Sequence, residues 1–137
     1  MCHTARISMR CAAESVTAAR RWAAEELCAM YAAPGTVADD AALVVSELMT
    51  NSVRADARRV TLAVEVHHER LRVEASDDAA GVPALVPAGP TDTHGRGLRI
   101  VDAISGDWGV RVEPLGKTVW AELPMPVDAV AGFDCAG

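Results

Sequence analysis

The chain is short of positive charge. It has 13 Lys and Arg against 19 Asp and Glu, a formal net charge of −6 and a sequence pI near 5.1. A broad nucleic-acid footprint needs clustered cations, so that class of partner is not expected. Long apolar runs are also missing: none approaches the roughly 18–20 residues needed to span a bilayer. The N-terminus lacks the apolar stretch of a signal peptide. The four cysteines, Cys2, Cys11, Cys28 and Cys135, show neither CxxC nor Cys/His ligand spacing. A chain of 137 residues can bury a core without staples, which predicts reduced thiols and a cytoplasmic location. Internal repeats and low-complexity linkers are absent as well.

What is present is the makeup of one ordinary globular domain, 50% hydrophobic and 23% charged. Residues 5–11 alternate weakly and predict an edge strand. From Ser15, apolar residues recur at three- and four-residue steps (Val16, Ala19, Trp22, Ala23, Leu27, Met30), the period of an amphipathic helix. Pro34-Gly35 ends that helix. A second is expected to about Arg54 or Ala55, with Asp39 and Asp40 as candidate caps for its first amides. The cations Arg54, Arg58 and Arg59 then meet its negative dipole end.

Two β-like runs, 59–67 and 70–76, flank His68-Glu69 and predict a hairpin. Residues 78–95 are rich in Gly, Pro and small polar residues and predict a loop. Helix returns at about 96–105 until Gly106. Strands 107–113 and 117–123 form a second hairpin around Pro114-Leu115-Gly116. The predicted order is β-α-α-β-β-loop-α-β-β over residues 1–124, with 125–137 a frayed tail. Hairpins dominate, so the fold class is a two-layer α/β sandwich. Its sheet should be mixed but mostly antiparallel, with helices on one face.

Three segments carry chemistry. In SELMTNSVR (46–54), Glu47 and Asn51 lie one helical turn apart on one face. A glutamate there can serve as a general base, and an asparagine carbonyl is a hard ligand suited to Mg²⁺. In DDAAGVP (77–83), Asp77 ends a strand, where its carboxylate can accept the exocyclic amine of adenine while Gly81 lets backbone approach the ring. In HGRGLRIVD (94–102), Gly95 and Gly97 flank Arg96 just before an apolar helical pattern, a place where free amides attract phosphates. Neither the P-loop spacing nor a strand-led dinucleotide fingerprint occurs. Gly116-Lys117-Thr118 opens the last strand, and the Thr118 hydroxyl could support a base edge. Each segment alone has a bland explanation: a solvated pair, a turn aspartate, a helix start, a hairpin. Their order on these elements suggests an ATP site.

SELMTNSVR, DDAAGVP, HGRGL and GKTVWAEL resemble, in order, the N, G1, G2 and final-strand motifs of the GHKL (histidine-kinase-like) ATPase superfamily. The short form looks most like the stand-alone anti-sigma-factor serine kinases of actinobacteria. The resemblance covers about residues 5–124 and implies a Bergerat-type sandwich binding ATP and Mg²⁺. By matching position it implies that Glu47 is the catalytic base and Asn51 the Mg²⁺ ligand. Asp77 would bind adenine with help from Gly81 and Thr118. Gly95, Arg96, Gly97 and Leu98 would form the phosphate-side turn, and 84–94 a short lid. It further implies an anti-anti-sigma protein as phosphorylated partner, a sigma factor as alternative partner, and a homodimer. The alternative function is a non-catalytic module of the same fold that holds a sigma factor or antagonist. Two positions depart from the pattern. Ala79 replaces the first glycine of DxGxG, where a methyl group restricts positive φ, and Ala55 stands where a histidine often does.

Overall fold

A computed structural model describes residues 4–30, 35–67, 70–79, 100–102 and 104–124. Five strands and two helices follow the expected order. They are β1 (Thr4–Arg10), α1 (Ser15–Met30), α2 (Gly35–Arg54), β2 (Arg59–His67), β3 (Arg70–Asp77), β4 (Asp107–Glu113) and β5 (Gly116–Pro124). Residues 100–102 and 104 are helical, and the Ser105 amide closes that turn on Val101 at 2.8 Å before Gly106. The strands make one sheet in the order β1-β2-β3-β5-β4. Every described pairing is antiparallel, in keeping with the mostly antiparallel sheet expected. The tail 125–137 lies outside the described residues.

Alternation places the core. Val60, Leu62, Val64 and Val66 of β2, Leu71, Val73 and Ala75 of β3, and Val119, Ala121 and Leu123 of β5 are all buried on one face of the sheet. Against them lie Val44, Val45, Leu48 and Met49 of α2, with Ala19, Ala23 and Leu27 of α1 in the same cluster. Burying each of the larger side chains contributes on the order of 2 kcal/mol. The opposite face carries mainly polar residues at the alternate positions, with Ala63 and Trp120 among them, as an antiparallel sheet covered on one side allows.

Helix α2 starts at Gly35, so Asp39 and Asp40 are not its caps; they sit beyond the first turn and are exposed. Its end is built more tightly. The Ala57 amide donates to the Ser52 carbonyl at 3.1 Å and the Asp56 amide to that of Val53 at 3.0 Å, with Asp56 at φ 59°. This is a Schellman closure whose left-handed residue is an aspartate, a type that tolerates αL better than most. The closure fixes Asn51 and Ser52 in the last turns of α2 and sends the chain into β2.

Candidate functional site

Register brings the base end of the site together. Asp77 closes β3 and pairs directly with Lys117 on β5. Val119, Ala121 and Leu123 point at the helices, so Lys117, two residues before Val119, does too; the same phase carries Asp77 inward from Leu71, Val73 and Ala75. Gly116 sits against this point, and a Cβ on it would lie 1.8 Å from the Asp77 carbonyl oxygen. Only glycine allows β5 to start this close to the end of β3.

Asp77 is enclosed by donors. Its Oδ2 accepts from Ser52 Oγ at 2.5 Å and Lys117 Nζ at 2.8 Å. Its Oδ1 accepts from Lys117 Nζ at 3.0 Å and the Ala79 amide at 3.0 Å. The Lys117 and Asp77 side chains are only 1% and 0% exposed. Such a pair holds because both charges are matched and hydrogen-bonded; either charge alone would be costly to bury. Ser52 and Lys117 were not among the residues the sequence pointed to. A signal for Lys117 was present in the apolar alternation of Val119, Ala121 and Leu123. Ser52 had none of comparable strength, since a serine beside Asn51 on a helix is commonplace.

Thr118 requires a correction. It lies on the other face of the sheet, with its hydroxyl 2.7 Å from that of Ser76 and donating to the Glu113 carboxylate. Pleating turns neighbouring strand residues to opposite faces, so Thr118 cannot reach a base held at Asp77. Lys117 occupies the place expected of it. Ala79 differs from expectation too: its φ is not positive, so the missing glycine costs no backbone strain. It is buried, and its amide closes an Asx-type turn on Asp77.

Asp78 points elsewhere. Its Oδ1 accepts from the Arg58 amide at 2.7 Å and more weakly from the Arg59 amide at 3.4 Å, tying the end of β3 to the start of β2. Those amides, Arg58 first, hold its carboxyl below the usual carboxylate range. Cys11 lies near the same end of the sheet as a free thiol. Burial pushes it up, and the charges of Asp77 and Asp78 add to this.

On α2, Glu47 and Asn51 are both half-buried. Asn51 Nδ2 is buried without a hydrogen-bond partner among the described residues. An amide held dry in this way is suited to donate to a phosphate oxygen while its carbonyl takes a metal ion. Among the described residues no cluster of three or more His, Cys, Asp or Glu side chains is arranged to hold a metal. A lone asparagine carbonyl is a donor suited to an ion that keeps phosphate and water oxygens, as Mg²⁺ does. Gly81, Gly95, Arg96, Gly97 and Leu98, with the predicted lid, lie outside the described residues. A cleft of about 510 Å³ at this end of the sheet is lined by Asp77, Gly116 and Lys117 together with Ser76, Asp78 and Glu113, among others. Neither Glu47 nor Asn51 borders it, so it touches the base end of the site and does not reach the α2 end.

The family model described as histidine kinase-like ATPase domain matches residues 9–123. The chain belongs to this family. Among solved structures it is similar to the histidine kinase domain from the Erythrobacter litoralis EL346 blue-light activated histidine kinase. Identity is 28% and the TM-score 0.50, with 64% of this chain and 44% of that one covered. The chain thus spans less than half the length of that relative. No curated protein matches. Membership supports an ATP-binding domain of kinase or ATPase type. No helix among the described residues is long and apolar enough to cross a membrane.

Proposed function

We propose that this domain is an ATP-dependent protein serine kinase of the anti-sigma type, acting on an anti-anti-sigma protein and alternatively holding a sigma factor, as a homodimer. The observation that carries the nucleotide part is the buried, unpartnered Asn51 amide one turn from Glu47 on the helix that also delivers Ser52 to Asp77. The motif order SELMTNSVR, DDAAGVP, HGRGL, GKTVWAEL supports the branch.

In this reading Asp77 would accept the adenine amine and Asn51 would hold Mg²⁺, which would supply charge neutralisation for the transfer. ATP supplies the transferable phosphoryl group. Glu47 takes the proton from the incoming serine hydroxyl, which must come within hydrogen-bond reach of its carboxylate. Phosphoryl transfer asks of the protein mainly positioning and charge stabilisation, so one base and one metal ligand suffice on α2.

The test is Glu47→Ala. Phosphorylation of a partner captured from the native cell should be abolished while ADP·Mg²⁺ binding by calorimetry stays within about threefold. Retained phosphorylation would remove Glu47 as base. The second reading, a non-catalytic module that sequesters a partner, draws on the Asp77–Lys117 pair, which occupies the base acceptor. It predicts partner capture with no phosphoryl transfer by the unmodified protein.

A further inference from the structure

Asp77 has no acceptor to spare. A carboxylate offers about four lone-pair sites, and the protein itself supplies four contacts. Ser52 and Lys117 take Oδ2; Ala79 and Lys117 take Oδ1. An incoming purine amine must displace one of them. The Ala79 donor is backbone, fixed by the turn. Ser52 is 1% exposed and rides on the closed end of α2. Lys117 alone is a flexible donor, a four-carbon stem with a rotatable ammonium that is strongly hydrated in water.

We propose that Lys117 is a gate on base recognition: its ammonium occupies the Asp77 carboxylate, and nucleotide binding expels it. This rests on the reading of Asp77 as base acceptor. Adenine binding then costs the rupture of a buried ion pair, so affinity is held down by a residue that must leave Asp77 before the base amine can reach it. Once the ammonium is out, the carboxylate keeps Ser52 and Ala79 and gains the amine, so it is never left without donors. The ammonium regains its hydration, which offsets part of the cost.

A property of the sequence makes the gate observable. Lys117 is the only lysine in the chain, so amine chemistry reports a single ε-amino group, with the Met1 α-amine as internal reference. The unmodified protein is pulse-labelled with deuterated acetic anhydride, with and without saturating ADP·Mg²⁺, and the Lys117 peptide is quantified by mass spectrometry. Labelling should rise at least fivefold with nucleotide. In parallel, calorimetry compares ADP·Mg²⁺ binding to the unmodified protein and to Lys117→Thr, which keeps a hydroxyl to donate to Asp77. The variant should bind at least tenfold more tightly.

Unchanged or reduced labelling on nucleotide addition would overturn the gate, because the ammonium would have stayed in place. Binding by Lys117→Thr that is unchanged or weaker would do the same, leaving the nucleotide reading intact. No ADP binding by either protein would remove that reading and the gate with it. The labelling arm needs no variant, so a poorly folded Lys117→Thr leaves the proposal open to refutation.

Discussion

The strand pair β3–β5 presents two ion-and-hydroxyl clusters one residue apart, on opposite faces. Inward, Asp77 and Lys117 meet Ser52 under the helices, with side chains 0–1% exposed. Outward, Ser76, Thr118 and Glu113 share hydrogen bonds; Thr118 itself is 0% exposed, but Glu113 is 42% exposed and brings water to the edge of the cluster. Further along that outer face Arg72 pairs with Glu74 at 2.8 Å and lies over the Trp120 ring at 4.5 Å. Gly109 makes room there, since a Cβ on it would lie 2.7 Å from that ring. The residue chemistry of the two faces is similar. Water differs. Where it is excluded, each charge depends on its partner, and the pair parts only when another donor takes the ammonium's place. Where it is present, each partner can be replaced by solvent.

That contrast can be broken by substitution. Asp77→Ala strands the Lys117 ammonium in the core and should cost about 3–5 kcal/mol in urea unfolding without nucleotide. A loss below about 1 kcal/mol would mean that the lysine reaches water easily, and the inner face would lose its distinction. Thr118→Val removes the central hydroxyl of the outer cluster, whose other members can turn to solvent. About 1 kcal/mol is expected, with ADP affinity unchanged. A tenfold loss of that affinity would return Thr118 to the base site.

The smallest effect concerns pH. Asp78 has a folded-state pKa below its unfolded value, so its stabilisation is fully present above the ordinary range, near about pH 4. It is lost as pH falls through the lower folded value. Asp78→Asn, which mimics the protonated carboxyl, should therefore lower the neutral-pH plateau slightly and flatten the acid limb below about pH 4, leaving the low-pH end unchanged. An unchanged acid limb would show that the Arg58 amide does not distinguish the charged carboxylate from its neutral amide counterpart.

Much of this molecule was legible in the residues. Helical spacing from Val16 to Met30, the alternation at 59–67 and 70–76 and the turn at Pro114-Leu115-Gly116 located the elements, because periodicity follows directly from which face meets the core. Glu47, Asn51 and Asp77 stood out for the same local reason. Boundaries set by backbone closure were less visible. Asp39 and Asp40 look like caps, yet α2 begins at Gly35.

The sequence by itself determined the element order, the two-layer class and the apolar phase that turns Asp77 and Lys117 inward. Each depends on intervals along the chain, and intervals are what a sequence records. Only the tertiary structure decided that these two residues stand opposite each other, that Ser52 reaches the same carboxylate from α2, and that Thr118 belongs to the other face. Those facts depend on register between strands 40 residues apart and on how a helix lies across them. Both are set by the packing of the whole core, to which no single stretch of chain holds the key.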